Sequence, residues 1–101
     1  MKIIFNEQKL KISDRLKQKI EVKFEKSLEK YLKHYQDDLK IASLSIEKIT
    51  RSGYQVKFDM NLPACPVNIS ETGKVLLDTI VSVKDKAKRT IRKNLEKLKK
   101  Y

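Results

Sequence analysis

Cysteine and histidine are nearly missing from this sequence: Cys65 and His34 stand alone. One thiol excludes an intramolecular disulfide and a cysteine-based zinc site, and adding one imidazole still does not make a metal cluster. Long apolar runs are absent too. Nothing approaches the ~20 residues of a membrane span, and "MKIIFNEQKLKIS" has too short an apolar core for a secretory signal. The cytoplasm is the expected compartment, with no membrane partner. There is no internal repeat, no low-complexity linker and no phosphate-cradling glycine loop. No carboxylate is paired with the histidine or with a glycine-rich loop. These absences argue against an enzyme, and no catalytic residue, cofactor or metal is expected. Cys65 reads as a small core residue, and His34 as a structural group near the end of a helix.

Acidic residues are also in short supply. Against 24 Lys and Arg there are 13 Asp and Glu, a formal net charge of +11. Charge of this size says little about fold but favours a polyanionic partner, nucleic acid first. A chain of 101 residues has one modest core, so residues 1–101 are expected to form a single domain.

Hydrophobic periodicity supplies the order of elements. Residues 2–6, "KIIFN", form a short strand candidate whose register is ambiguous. Ser13 is placed to cap a helix, with Ile12 packing back on its first turn. Leu16, Ile20, Ser27 with Leu28, Tyr31 and Tyr35 then recur at helical spacing until "QDD". In 41–49, Ala42, Leu44 and Ile46 alternate with Ser43, Ser45 and Glu47, and "TRSG" at 50–53 reads as a hairpin turn. Tyr54, Val56, Phe58 and Met60 then oppose Gln55, Lys57, Asp59 and Asn61. The strand at 64–71 turns Cys65, Val67 and Ile69 inward, while Pro63 and Pro66 assign it to a sheet edge. After "ETGK" the helical period returns through Leu76, Ile80, Val83, Ala87, Ile91, Leu95 and Leu98. The expected fold is α+β, ordered β-α-β-β-β-α. Its four-stranded sheet has both helices packed on one face, leaving the other face wet.

On a helical wheel the charge acquires a direction. From Lys84 to Tyr101 nine basic residues face two acidic ones, which is seven of the chain's eleven net positive charges. On the first helix Arg15, Lys19, Lys23, Lys26, Lys30 and Lys33 follow one flank of the apolar stripe. Asp14, Glu21, Glu25 and Glu29 fall on the back. Two basic helices on one side of a sheet make a surface suited to phosphate backbones. The wet sheet face carries Ser43, Ser45, Glu47, Gln55, Lys57, Asp59, Asn61, Asn68 and Ser70, with no aromatic for base stacking. Binding is therefore expected from the helices, with phosphate and shape recognition dominating.

At this point the sequence resembles the ribosome hibernation promoting factors, also called ribosome-associated translation inhibitors. The resemblance spans nearly the whole chain and rests on "ISDRLKQKIEVKFEKSLEKYL" (12–32), "LSIEKITRSG" (44–53) and "DKAKRTIRKNLEKLKK" (85–100). The family's K-F-x-K element is matched by Lys23, Phe24 and Lys26. Its V-E-K-V is matched by Ile46, Glu47, Lys48 and Ile49, and its D-K-L-x-R-Q-L-x-K by Asp85, Lys86, Ala87, Arg89, Thr90, Ile91 and Lys93. The stretch "GKVLLDTIVS" departs from the family's D-x-Y-A-A-I-D opening of the last helix.

The resemblance implies a monomeric domain that binds the small ribosomal subunit, within the 70S ribosome, near the decoding centre. There it would block mRNA and tRNA and inhibit translation by idle ribosomes. It implies rRNA contacts at Lys23, Lys26, Lys86, Arg89 and Lys93, and Arg92 and Lys97 join them on local charge and geometry. The long members' second, dimerising domain is not expected here. A double-stranded-RNA-binding module, which shares the α-β-β-β-α portion, is the alternative.

Overall fold

A computed structural model describes residues 1–7, 11–33, 35–50, 53–62 and 65–99. The side chains of Asp37, Thr50, Cys65 and 97–99 fall outside that description, as do His34, Pro63 and Tyr101 entirely. The order is β1 (Lys2–Asn6), α1 (Asp14–Leu32), a short 3-10 turn (Asp37–Leu39), β2 (Ile41–Thr50), β3 (Gly53–Leu62), β4 (Cys65–Gly73) and α2 (Leu76–Lys99). This is the expected β-α-β-β-β-α fold.

The strands lie in sequence order in one sheet. β1 pairs parallel with β2, setting Ile3 against Ala42 and Phe5 against Leu44. β2–β3 and β3–β4 are antiparallel, with Phe58 opposite Leu44 on one side and Ile69 on the other. A parallel β1–β2 pair requires a crossover, and α1 is that crossover. β4 runs with β2, and α2 folds back over β4. The two helices therefore run in the same sense, with their N-termini at one end of the sheet.

Period-two alternation places Ala42, Leu44, Ile46, Val56, Phe58, Met60 and Val67 on the face beneath the helices, all at most 2% exposed. β4 occupies an edge, where Pro66 withholds no ladder donor from a further strand. The register of β1, ambiguous in sequence, puts Ile3 inward and Ile4 outward, and Ile4 is 53% exposed. Ile41 and Ile49 also lie on the outer face, so that face is less polar than its serines and asparagines suggest.

Two turns show local chemistry directing the chain. Ser13 caps α1, its Oγ accepting from the Leu16 N–H at 3.2 Å, and Ile12 is buried beside it. Upstream, the Glu7 carboxylate accepts from the Ile12 N–H and pairs with Lys17, both at 3.0 Å. The Lys17 ammonium also lies 5.8 Å from the Phe5 ring centre. The Ile12 hydrogen bond first, and the Lys17 bond second, hold the Glu7 carboxyl below its ordinary value. At the other end, Tyr35 was expected within α1, but the helix stops at Leu32. The Tyr35 N–H bonds back to the Leu32 carbonyl at 3.0 Å, a tightened turn that starts the return to β2.

Candidate nucleic-acid interface

α1 is seated by Ile20, Phe24, Leu28 and Leu32, each at most 1% exposed. These residues follow an i+4 ridge, so the contact line winds around the helix as α1 crosses the sheet. The expected stripe held Ile20 and Leu28 but omitted Phe24 and Leu32 and included Tyr31, which is only partly buried. Phe24 is the centre of the seat. Its ring stacks on Phe58 with centroids 5.0 Å apart and planes at 19°. The Lys-Phe-x-Lys element thus has an internal member between two exposed cations, Lys23 and Lys26.

With that seat fixed, the sorted charges of α1 acquire neighbours. Arg15, Lys19 and Lys23 border an open groove shared with Leu77 of α2. Glu25 and Glu29 lie on the opposite flank, beside Met1 and Lys40. Glu25 and Glu29 are therefore not on the outer back of the helix, as expected, but turned to the β1 edge. The basic flank is the one that faces α2.

α2 is seated by Ile80, Val83, Ala87 and Ile91, all fully buried, over β4 and β3. Ala87 permits close approach at mid-helix. At the start of α2, Thr79 presses on Gly73, where an added Cβ would meet the Thr79 Oγ1 at 2.3 Å. That hydroxyl donates to the Val75 carbonyl at 2.8 Å, closing the β4–α2 corner.

Leu77 marks the side of α2 that faces α1. Helical spacing carries that side through Val81, Lys84 and Lys88, all half-buried, to exposed Arg92. The other flank faces the β4 edge. There Lys86 forms an ion pair with Glu71 of β4. Along the same flank the Thr90 hydroxyl donates to the Lys86 carbonyl at 2.9 Å, and the Asn94 amide to the Thr90 carbonyl at 3.1 Å. Lys93, two turns beyond Lys86, shares this flank, and Arg89 lies between the flanks, directed away from the sheet.

The predicted binding residues thus divide. Lys23 lines the groove shared with Leu77, Arg92 lies on the side of α2 turned to α1, Arg89 tops α2, Lys86 and Lys93 look over β4, and Lys26 is exposed on α1 without lining that groove. The side chain of Lys97 lies outside the described residues. Lys86 differs from the others because its charge is already engaged by a largely buried carboxylate, whose side chain is only 19% exposed. Arg15, Lys19, Lys84 and Lys88 were not among the predicted contacts, yet they lie on the inter-helix side. Among the described residues no group of three or more His, Cys, Asp and Glu could hold a metal ion. None of their helices is long and apolar enough to cross a membrane.

This architecture, a mixed four-stranded sheet with two co-directional helices on one face, defines a known α+β fold. Its solved counterparts include the N-terminal domain of Protein Y from Thermus thermophilus, with a TM-score of 0.68 and 19% identity over 91% of this chain and 93% of that one. Another is a ribosomal subunit interface protein from Coxiella burnetii, with a TM-score of 0.73 and 19% identity over 92% of this chain and 96% of that one. The sequence matches no protein-family model and no curated protein.

Proposed function

We propose that this domain is a ribosome-binding translation inhibitor of the hibernation-factor type. In this reading it docks on the small-subunit rRNA through the cationic surface of α1 and α2. The observation that carries the reading is the direction of charge: the basic flank of α1 faces α2, itself basic around its outward arc, while Glu25 and Glu29 of α1 turn away. The shared fold supports it, since one solved counterpart is described as a ribosomal subunit interface protein. Arg89, Arg92, Lys93, Lys23 and Lys26 are the principal phosphate contacts in this reading. Lys86 is a lesser one, because Glu71 already holds it.

The chemistry required is binding alone. A domain seated near the decoding centre acts by occupying the path of mRNA and tRNA, so inhibition follows from exclusion, with no bond made or broken. The test is sedimentation of the purified protein with vacant ribosomes, followed by competition. Co-sedimentation with 70S particles, reduced reporter translation, and displacement by excess mRNA with initiator tRNA are the expected results. Binding that survives this competition would sink the exclusion mechanism. Equal binding to ribosomes and to arbitrary RNA duplexes would favour a general double-stranded-RNA-binding module instead.

A further inference from the structure

The groove at the N-terminal ends of the helices differs in composition from the rest of the basic surface. Its lining is Arg15, Gln18, Lys19, Val22 and Lys23 from α1 and Leu77 from α2, around an open groove of about 670 Å³. Three cations border it and no acid does. Between the cations lie two aliphatic side chains, Val22 and Leu77, each 47% exposed. Singly exposed aliphatics are ordinary, and Ile4 and Val75 are more exposed still; Val22 and Leu77 stand out because they line one groove together with three cations.

We propose that this groove receives an unstacked nucleotide of single-stranded or looped RNA. The proposal rests on the RNA-binding reading above and adds a site to it. Arg15, Lys19 and Lys23 meet the flanking phosphates, Val22 and Leu77 pack against the face of the base, and the Gln18 amide addresses its edge. An amide offers both donor and acceptor, so it can pair with polar atoms of any base. The Arg15 guanidinium can also stack on a base plane, which a lysine cannot do. The groove is open, with room for a base and its sugar to lie across it. A continuous duplex does not fit this chemistry, because its bases are stacked inside and it offers only backbone. Neither the open sheet face nor this groove offers an aromatic platform among the described residues; the groove differs in setting aliphatic groups between three cations.

The experiment compares a short labelled oligoadenylate with an abasic ribose-phosphate strand of equal length, at low salt, by fluorescence anisotropy. The wild-type protein should prefer the base-bearing strand on the order of tenfold, the scale expected if a base covers the half-exposed Val22 and Leu77 side chains. Val22→Ser with Leu77→Ser should erase that preference while abasic binding remains, and far-ultraviolet circular dichroism should be unchanged because both residues are half exposed. Arg15→Glu with Lys19→Glu should weaken both strands. Equal affinity of the wild type for the two strands overturns the site, and so does a preference that persists in the double serine variant. Displacement of an acidic amphipathic peptide bound in this groove, with no base preference, would mean that the occupant is a protein. Base preference without ribosome sedimentation would overturn the ribosome reading and keep the groove, and the converse would overturn the groove alone.

Discussion

The two helices solve the same problem differently. α1 is held by a large aromatic, Phe24, stacked on Phe58 at the centre of the sheet. α2 is held by smaller groups, with Ala87 at mid-helix and Thr79 against Gly73 at its start. Their charges differ in the same way. α1 separates cations from acids on two flanks, whereas α2 carries cations around nearly all of its outward arc. The difference follows from what each flank meets. One side of α1 looks to β1, where Lys40 stands near Glu25 and Glu29, and the other looks to α2. α2 has one flank over β4, where Glu71 pairs with Lys86. On α2 the Lys84–Asp85 and Lys86–Glu71 pairs engage two of the cations, and the helix still carries a large excess of positive charge, as a polyanion-binding surface requires.

The largest expected effect would break this comparison at the level of binding. Reversing Arg89 and Lys93 to Glu should lower ribosome affinity on the order of a hundredfold or more at low salt, since phosphate contacts dominate such binding. Reversing Glu25 and Glu29 to Lys should not weaken it, because that flank faces β1. Equal losses in a ribosome-pelleting assay would mean that bulk charge governs binding and that the flanks have no meaning. For the wild type, contact with about six phosphates implies roughly a thousandfold loss of affinity between 50 and 200 mM monovalent salt.

The next effect concerns how α1 is seated. Phe58→Ala should cost about 3–5 kcal/mol in chemical denaturation, and Phe24→Ala a similar amount. The two rings touch, so the double variant should lose less than the sum of the single variants. A loss below about 1 kcal/mol for Phe58→Ala would mean that the stacked pair does not anchor the sheet to α1.

For α2 the sharper probe is an addition. Gly73→Ala should destabilise by about 1–3 kcal/mol, because the new methyl collides with the Thr79 hydroxyl. Thr79→Ala introduced alongside should relieve much of that cost. Additive losses in the double variant would show that the strain lies elsewhere than this corner.

Much of this was legible in the sequence, for identifiable reasons. Alternation in 54–61 exposes the inward face directly, since a strand has only two faces and one is polar. The edge position of β4 followed from Pro66, a purely local constraint. Phe24 was harder, because the buried line on α1 drifts along an i+4 ridge and any fixed stripe misses part of it. The outward Ile4 and Ile41 depended on the register of a short parallel strand, which only the pairing with β2 sets. The Lys86–Glu71 pair and the Val22–Leu77 groove each join residues from separate elements. No spacing rule along the chain could have shown them.

The smallest expected effect tests the clip that fastens β1 to α1, on the side of α1 away from α2. Glu7 bonds the Ile12 N–H and Lys17, and its carboxyl is held below the ordinary 4.5 by the Ile12 bond first and Lys17 second. A group whose folded-state value is depressed adds stability that is fully present above its unfolded value. That increment disappears as pH falls through the folded value. Wild-type stability should therefore exceed that of Glu7→Gln by a constant small margin near neutrality, and the margin should shrink below about pH 4.5. Gln keeps an acceptor for the Ile12 N–H, so this variant isolates the charge, and Glu7→Ala removes both. Salt should narrow the gap between Glu7 and Gln but not the gap between Gln and Ala, because the half-buried charge pair with Lys17 is still open to screening whereas the Ile12 hydrogen bond is not. A wild-type margin that does not change between pH 7 and pH 3 would show that the clip works through its hydrogen bond alone. The asymmetry between the helices would then rest on their packing, with no contribution from this charge.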